Sequence, residues 1–175
     1  QNTQAPGTQT PGTQAPRSMS SEEAQRDARE REDMGFLENA AQGSFAEVEA
    51  SKLALEKSES QDVKDFAQKM IDDHQKMLDR ITALAKAKGQ ELPDGPSIMQ
   101  KTEITALKAL SGGAFDAMYV NRIGVAAHES TVEMYEEANQ ETEDPEVKAL
   151  IGELLPTLRE HLEMAQALNE KQEKE

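Results

Sequence analysis

Four long segments of this 175-residue chain place apolar residues at helical spacing, and this repetition constrains the fold more than any other feature. In the second segment, Val63, Phe66, Ala67, Met70 and Ile71 fall on one face of a helix. The sequence has no runs of β-branched and aromatic residues that would signal strands. Aromatic residues make up only 3% of the chain, whereas the strong helix formers Ala, Leu, Glu and Lys are abundant. The sequence therefore predicts an all-α protein.

Capping residues and helix breakers divide this pattern into four long helices, A to D, and one short helix. Ser20 with Glu23 three residues later fits a capping box, and Gly89 fits a helix C-cap. Asp144 followed by Pro145 is a typical helix start, since proline at the first helical position loses no hydrogen bond. The predicted ranges are helix A from Ser20, helix B over 61–88, the short helix over 97–110, helix C over 114–141 and helix D over 145–171.

The connections between these helices predict how they are arranged. The turn from A to B is short, so these two helices should be antiparallel neighbours. The connection from B to C is long and contains the short helix, which is enough chain to return along the bundle. We therefore predict an antiparallel four-helix bundle of ferritin-like type over residues 20–172, with a short extra helix in the B–C connection.

Residues 1–19 have a different composition from the rest of the chain. Thr, Gln, Pro and Gly recur there at intervals of five residues, and hardly any apolar side chain is available for burial. Such a segment cannot compensate the entropy of ordering, so the sequence predicts a disordered tail.

The charge and composition exclude several classes of function. The formal net charge is −15, which repels nucleic-acid backbones, so we expect no nucleic-acid partner. No run of 18 or more apolar residues occurs, so the chain is not expected to span a membrane. The absence of cysteine excludes disulfides, thiolate metal sites and cysteine nucleophiles. No phosphate-binding glycine loop or recognisable nucleophile motif is found either.

The three histidines of the chain are the one feature that points to a specific chemistry. His74, His128 and His161 each fall on a different predicted helix, on the side that carries apolar residues, and near the middle of that helix. Mid-helix positions of a bundle share one layer, and the middle of the core-facing part of helix A is Glu47. The sequence thus predicts a layer of three imidazoles and one carboxylate.

Imidazole nitrogen combined with a carboxylate oxygen suits a transition metal better than calcium or magnesium. We therefore predict that Glu47, His74, His128 and His161 bind one ion, with zinc or iron as the first candidates, in a protein with a stress- or metal-related role. The two Glu-x-x-His motifs of di-metal bundles are missing. Two alternatives stay open: a metal-free structural or interaction module whose histidines hydrogen-bond to one another, and, ranked last, an enzyme with an open metal position.

Several segments together resemble one protein family. They are FLENAAQGSFAEVEASKLALEKS (36–58), VKDFAQKMIDDH (63–74), ALAKAKGQELP (83–93), LSGGAFDAMY (110–119) and LPTLREHLEMAQAL (155–168). In this order they are similar to the bacterial envelope proteins described as domain of unknown function 4142, over residues 33–168. The resemblance implies a ferritin-like fold, a secretory signal that has been removed, and a periplasmic or otherwise extracytoplasmic location. It implies no established activity.

The resemblance also bears on the candidate ligands. The family's Asp-His element is matched at Asp73-His74, and its Leu-Pro-Thr-Leu-x-x-His element ends at His161. The family's Glu-Val pair is matched at Glu47-Val48. At the second Asp-His element this chain has alanine before His128, and the preceding spacing is one residue longer than the family pattern.

Overall fold

The computed structural model of the protein describes residues 7, 11–12 and 14–175. The disorder predicted for residues 1–19 concerns a segment of which residues 1–6, 8–10 and 13 lie outside the described ones. The described chain is helical from Ser21 onwards, as predicted. Its elements are α1 (Ser21–Lys57), α2 (Gln61–Ala87), α3 (Ile98–Lys108), α4 (Gly112–Met118), a π-helical segment (Tyr119–Ala126), α5 (Ala127–Glu141) and α6 (Pro145–Glu173).

The helix starts follow the capping signals of the sequence. The Ser20 side chain accepts a hydrogen bond from the backbone of Glu23, and the Glu23 carboxylate accepts one from the backbone of Ser20. Ser97 and Gln100 form the same reciprocal pair before α3. Asp144 caps α6. Because each cap satisfies backbone N–H groups that the helix leaves without partners, these residues fix the helix boundaries locally.

The buried apolar residues form two clusters, one towards each end of the bundle. The first cluster joins residues 36–41 of α1 to the C-terminal half of α2, Tyr135 of α5 and the N-terminal half of α6. The second joins the C-terminal part of α1, the N-terminal half of α2 and Ala165 of α6 to α3, α4 and the π-helical segment. Hence α1 and α6 point in one direction along the bundle. Helix α2 and the third long helix, formed by α4, the π segment and α5, point in the opposite direction. This is a four-helix bundle with the ferritin-like connectivity that the sequence predicted.

The chain between α2 and α4 carries α3 back along the bundle. It leaves α2 at the end of the first cluster, where Gly89 has a positive φ of 73°. Ile104 and Leu107 of α3 are then buried in the second cluster, at the other end. The predicted short helix in the B–C connection is therefore confirmed. None of the helices in residues 14–175 is long and apolar enough to cross a membrane.

The third long helix differs from its prediction, because it contains the π-helical segment between α4 and α5. The Ala127 backbone N–H donates to the Arg122 carbonyl, five residues back instead of four. A helix accommodates one extra residue by such a wide turn while the flanking turns keep their faces. The extra residue noted in the family resemblance before His128 lies in the same stretch. The wide turn and the departure in spacing therefore fall in the same part of this helix.

Gly124 in the π segment allows the third long helix to approach α6 closely. A Cβ atom at this position would lie 3.1 Å from the Cβ of Ala165 and 3.7 Å from the ring of Phe66. The first distance is shorter than an ordinary contact between side chains, so even alanine would push the helices apart slightly. The close approach brings the two helices that carry His128 and His161 together.

Candidate metal centre

The three histidines form a buried polar layer between the two apolar clusters. Their exposed fractions are 3% for His74, 1% for His128 and 0% for His161. The ring centroids lie 5.5 Å apart for His74 and His128, 5.1 Å for His74 and His161, and 5.4 Å for His128 and His161. Each ring comes from a different long helix. The three imidazoles of the predicted layer therefore meet.

The π segment orients the ring of His128. Its Nδ1 lies 2.9 Å from the carbonyl oxygen of Gly124 and 3.1 Å from that of Ile123. A carbonyl oxygen can only accept, so Nδ1 carries the hydrogen and donates. In the neutral ring, Nε2 then holds the free lone pair. This Nε2 lies 3.4 Å from Nε2 of His74, inside the histidine layer.

A carboxylate on α2 orients the ring of His161 in the same way. Nε2 of His161 lies 2.7 Å from an oxygen of Asp73, which also forms an ion pair with Lys69 at 3.1 Å. Burial raises the pKa of Asp73, but the hydrogen bonds from His161 and Lys69 outweigh burial and lower it below its ordinary value. An ionised Asp73 accepts the hydrogen of Nε2, which leaves the lone pair on Nδ1. Carboxylates hold metal-binding imidazoles in this manner.

Three buried polar atoms around the layer lack a hydrogen-bond partner among the described residues. They are Nδ1 of His74, Nδ1 of His161 and Oε2 of Glu47. A buried polar atom without a partner costs about 1–3 kcal/mol. Such atoms in the same layer as an Nε2 lone pair are what a metal site without its ion would show. Their positions therefore favour a bound ligand that accepts lone pairs.

Glu47 is buried next to the layer but not among the three converging imidazoles. Its Oε1 lies 3.6 Å from Nδ1 of His128, the nitrogen that donates to the π segment. In residues 14–175, the histidine, cysteine or carboxylate atoms that all lie within 4.8 Å of one another come from His74, His128 and His161. Glu47 thus sits beside the predicted site, on the Nδ1 side of the His128 ring.

Burial keeps the imidazoles of the layer uncharged. It lowers the pKa of His74 well below its ordinary value, and the neighbouring His128 and His161 lower it further. Burial and then His161 lower the pKa of His128 to about 4, despite the opposing hydrogen bonds to backbone carbonyls. Burial also lowers the pKa of His161, although Asp73 opposes this. Neutral imidazoles are the form that binds metal ions.

The nitrogen positions fit a transition-metal ion. With metal–nitrogen bonds of 2.0–2.1 Å and tetrahedral angles, two ligand nitrogens lie about 3.3–3.4 Å apart. The distance of 3.4 Å between Nε2 of His74 and Nε2 of His128 agrees with this separation. The candidate atoms of all three residues lie within 4.8 Å of one another. The three imidazoles can therefore hold one metal ion.

Asp73 and the π segment are the parts of the site that the prediction from sequence missed. Asp73 appeared only as the residue before His74, and its partner His161 is 88 residues away. The chain spacing before His128 was the one available signal for the π segment. The carbonyl contacts of Nδ1 depend on backbone geometry that no residue pattern displays.

Fold and site together define a class of protein: a four-helix bundle with ferritin-like connectivity and a buried triad of imidazoles. Residues 18–168 match the family described as Domain of unknown function (DUF4142), and the chain belongs to this family. No curated protein matches the sequence at a significant level.

Solved structures of other proteins share the fold at low sequence identity. A DUF305 fragment from Deinococcus radiodurans superposes with a TM-score of 0.71 at 16% identity, covering 80% of this chain and 96% of its own. CopM in the Cu(II)-bound form gives a TM-score of 0.65 at 19% identity, covering 79% and 96%. CopM in the Ag-bound form gives 0.64 at 18% identity, with the same coverage. At such identities the likeness establishes the shared helical fold.

Proposed function

We propose that this protein binds one transition-metal ion in the bacterial envelope through the imidazoles of His74, His128 and His161. The observation that carries the proposal is the convergence of three neutral, buried rings from three helices within 4.8 Å. Nε2 of His128 and Nδ1 of His161 are the ligand atoms, because hydrogen bonds occupy the other nitrogen of each ring. Glu47 is the candidate fourth ligand. Its carboxylate now lies on the Nδ1 side of the His128 ring, so the Glu47 side chain would have to change its rotamer to reach an ion on Nε2.

The donor set narrows the identity of the ion. Imidazole suits zinc, copper, iron and nickel, and affinity of such a site rises towards copper(II). The two CopM structures with the same fold hold Cu(II) and Ag. We therefore add copper to zinc and iron as the ions to test. The carboxylates of Glu47 and Asp73 lie next to the rings and would offset the charge of a divalent ion.

A binding role fits this site better than catalysis. The rings are at most 3% exposed, so an ion among them would be shielded from solvent. Metal catalysis requires a ligand position open to water or substrate. A closed site instead suits metal retention, buffering or structural stabilisation. A periplasmic or otherwise extracytoplasmic location and a metal- or stress-related role follow from the family resemblance and belong to this proposal.

Equilibrium dialysis of protein prepared without a polyhistidine tag, against Cu(II), Zn(II) or Fe(II), tests the proposal. We expect one tightly bound equivalent in the wild type and its loss in His74→Leu, which replaces the ring by an apolar side chain. Met70→Leu is the matched control, since Met70 is buried one turn away and carries no strong ligand atom. Equal metal content in all three proteins, or none in the wild type, would refute the proposal.

One contact favours a second candidate, a metal-free structural or interaction module. Nε2 of His74 and Nε2 of His128 are close enough for a weak hydrogen bond between two neutral rings. Such a polar layer could fix the register of the bundle without an ion. This candidate predicts that His74→Leu lowers stability, because Nε2 of His128 loses its partner, and that a chelator has no effect on the wild type.

A further inference from the structure

A pocket on one side of the bundle reaches Glu47, the residue that contacts His128 of the histidine layer. Its volume is about 330 Å³, and its walls come from α1, the segment around α3, the π segment and α5. Polar side chains form much of the wall, among them Asn39, Gln42, Ser130 and Thr131. Glu47 lies at the side of the pocket that touches His128. The pocket therefore reaches Glu47, whose carboxylate lies 3.6 Å from the ring of His128.

Gly43 lies in this wall, in the middle of α1, although packing does not require glycine there. No described atom outside its own helix backbone and chain neighbours lies within 4 Å of a Cβ built at Gly43. Glycine inside a helix is destabilising relative to alanine. Since the position could accommodate a side chain, the effect of glycine is to leave the pocket open. Gly124 differs, because a Cβ there would meet Ala165.

Glu47 is suited to receive a cation from the pocket. Glu47 is only 6% exposed, and its Oε2 has no hydrogen-bond partner among the described residues. Its Oε1 is 3.6 Å from the ring of His128. A second carboxylate, Glu103, also lines the pocket and pairs with Arg122 at 3.0 Å. A divalent ion that enters would thus meet the carboxylate oxygen Oε2 of Glu47, which has no partner among the described residues, beside the ring of His128.

We propose that this pocket is the port through which the metal ion exchanges with solvent, and that Glu47 passes the ion to the histidine layer. The proposal rests on the metal site proposed above. A cation with six waters of about 30 Å³ each occupies roughly 180 Å³, which the pocket can hold. The amide and hydroxyl groups of the walls can hydrogen-bond the waters, and movement of the His128 ring then admits the ion to the layer.

The test compares exchange rates with affinity, using full-length protein and Cu(II) or Zn(II) with a chromophoric chelator. Gly43→Met fills the pocket from α1, and Ser130→Met fills it from α5. Both should slow uptake and release together, by about tenfold, because a port lowers both rates without changing the equilibrium. Gly152→Met on α6, which has open space and lies outside the pocket, is the control.

Glu47→Gln adds a test of the second part of the proposal. It should slow uptake more than it speeds release, because a neutral amide binds a divalent ion more weakly than a carboxylate that can lose its proton to the ion. If Gly43→Met and Ser130→Met exchange at the wild-type rate while the wild type binds one ion, the port is refuted and the metal site stands. If the wild type binds no ion, both proposals fail. A Glu47→Gln variant that changes release alone would refute the role of Glu47.

Discussion

Acidification of the metal-free protein should destabilise it through the histidine layer. The perturbation is a fall in pH from about 7 to about 4, across the interval in which unfolded histidine gains a proton. In the folded state, burial holds the pKa of His128 at about 4, against an ordinary value of 6.5. Between these values the unfolded chain binds a proton that the folded chain does not. The contribution of His128 to the free energy of unfolding is therefore constant above pH 6.5 and decreases as the pH falls towards 4.

The size of this loss follows from the difference in pKa. A shift of one pKa unit corresponds to about 1.4 kcal/mol, so His128 alone should contribute a loss of about 3 kcal/mol by pH 4. His74, whose pKa burial also lowers, adds in the same direction. Glu47 acts oppositely, because burial and then Glu103 raise its pKa well above the ordinary value. A folded state that holds a proton on Glu47 gains stability as the pH falls.

Urea unfolding in the presence of a chelator, followed by circular dichroism at several pH values, measures this effect. We compare the wild type with His128→Leu, in which the titrating ring is absent. As the pH falls from 7 to 4, the wild type should lose about 3 kcal/mol more unfolding free energy than His128→Leu loses. If the two stability curves run parallel over this interval, the ring is not held neutral by burial and the reasoning is wrong.

Three further predictions concern the surroundings of the ion. Asp73→Asn should weaken metal binding by about 10–100-fold, as measured by chelator competition, because it removes the carboxylate that orients His161; Asp72→Asn next to it should have no such effect. Gly124→Ala should destabilise the protein by about 1–3 kcal/mol in urea unfolding, since its Cβ would press on α6, whereas Gly152→Ala should be neutral or stabilising. Metal at about 100 times its dissociation constant should raise the unfolding free energy by about 2.7 kcal/mol, and an unchanged melting temperature would contradict binding to the folded state.

Signals that act within a few residues made the bundle predictable from sequence. The capping pairs at Ser20 and Ser97, the Asp144-Pro145 start and the glycine at 89 each determine a boundary through local hydrogen bonds or backbone conformation. Apolar periodicity then determines which faces are buried, and the lengths of the connections limit the topology. The common layer of the histidines followed because helices of similar length align their middles.

Details that depend on rotation and packing between helices could not be predicted in this way. Asp73 reaches His161 only because α2 and α6 are neighbours with a particular rotation. The π segment is a change of backbone hydrogen bonding over Tyr119–Ala126, which the residue types do not display. Nδ1 of His128 then donates to the backbone carbonyl of Gly124 in the π segment. The carboxylate of Glu47 lies near this same nitrogen. Sequence spacing placed Glu47 at the right height but could not show which ring nitrogen it meets.

Anomalous diffraction from a crystal of the protein loaded with one equivalent of zinc tests the central claim most directly. We expect a single strong peak between the three imidazole rings, about 2.0–2.1 Å from Nε2 of His128 and from Nδ1 of His161. An empty layer, with zinc only on surface carboxylates or with the rings hydrogen-bonded to one another, would contradict it.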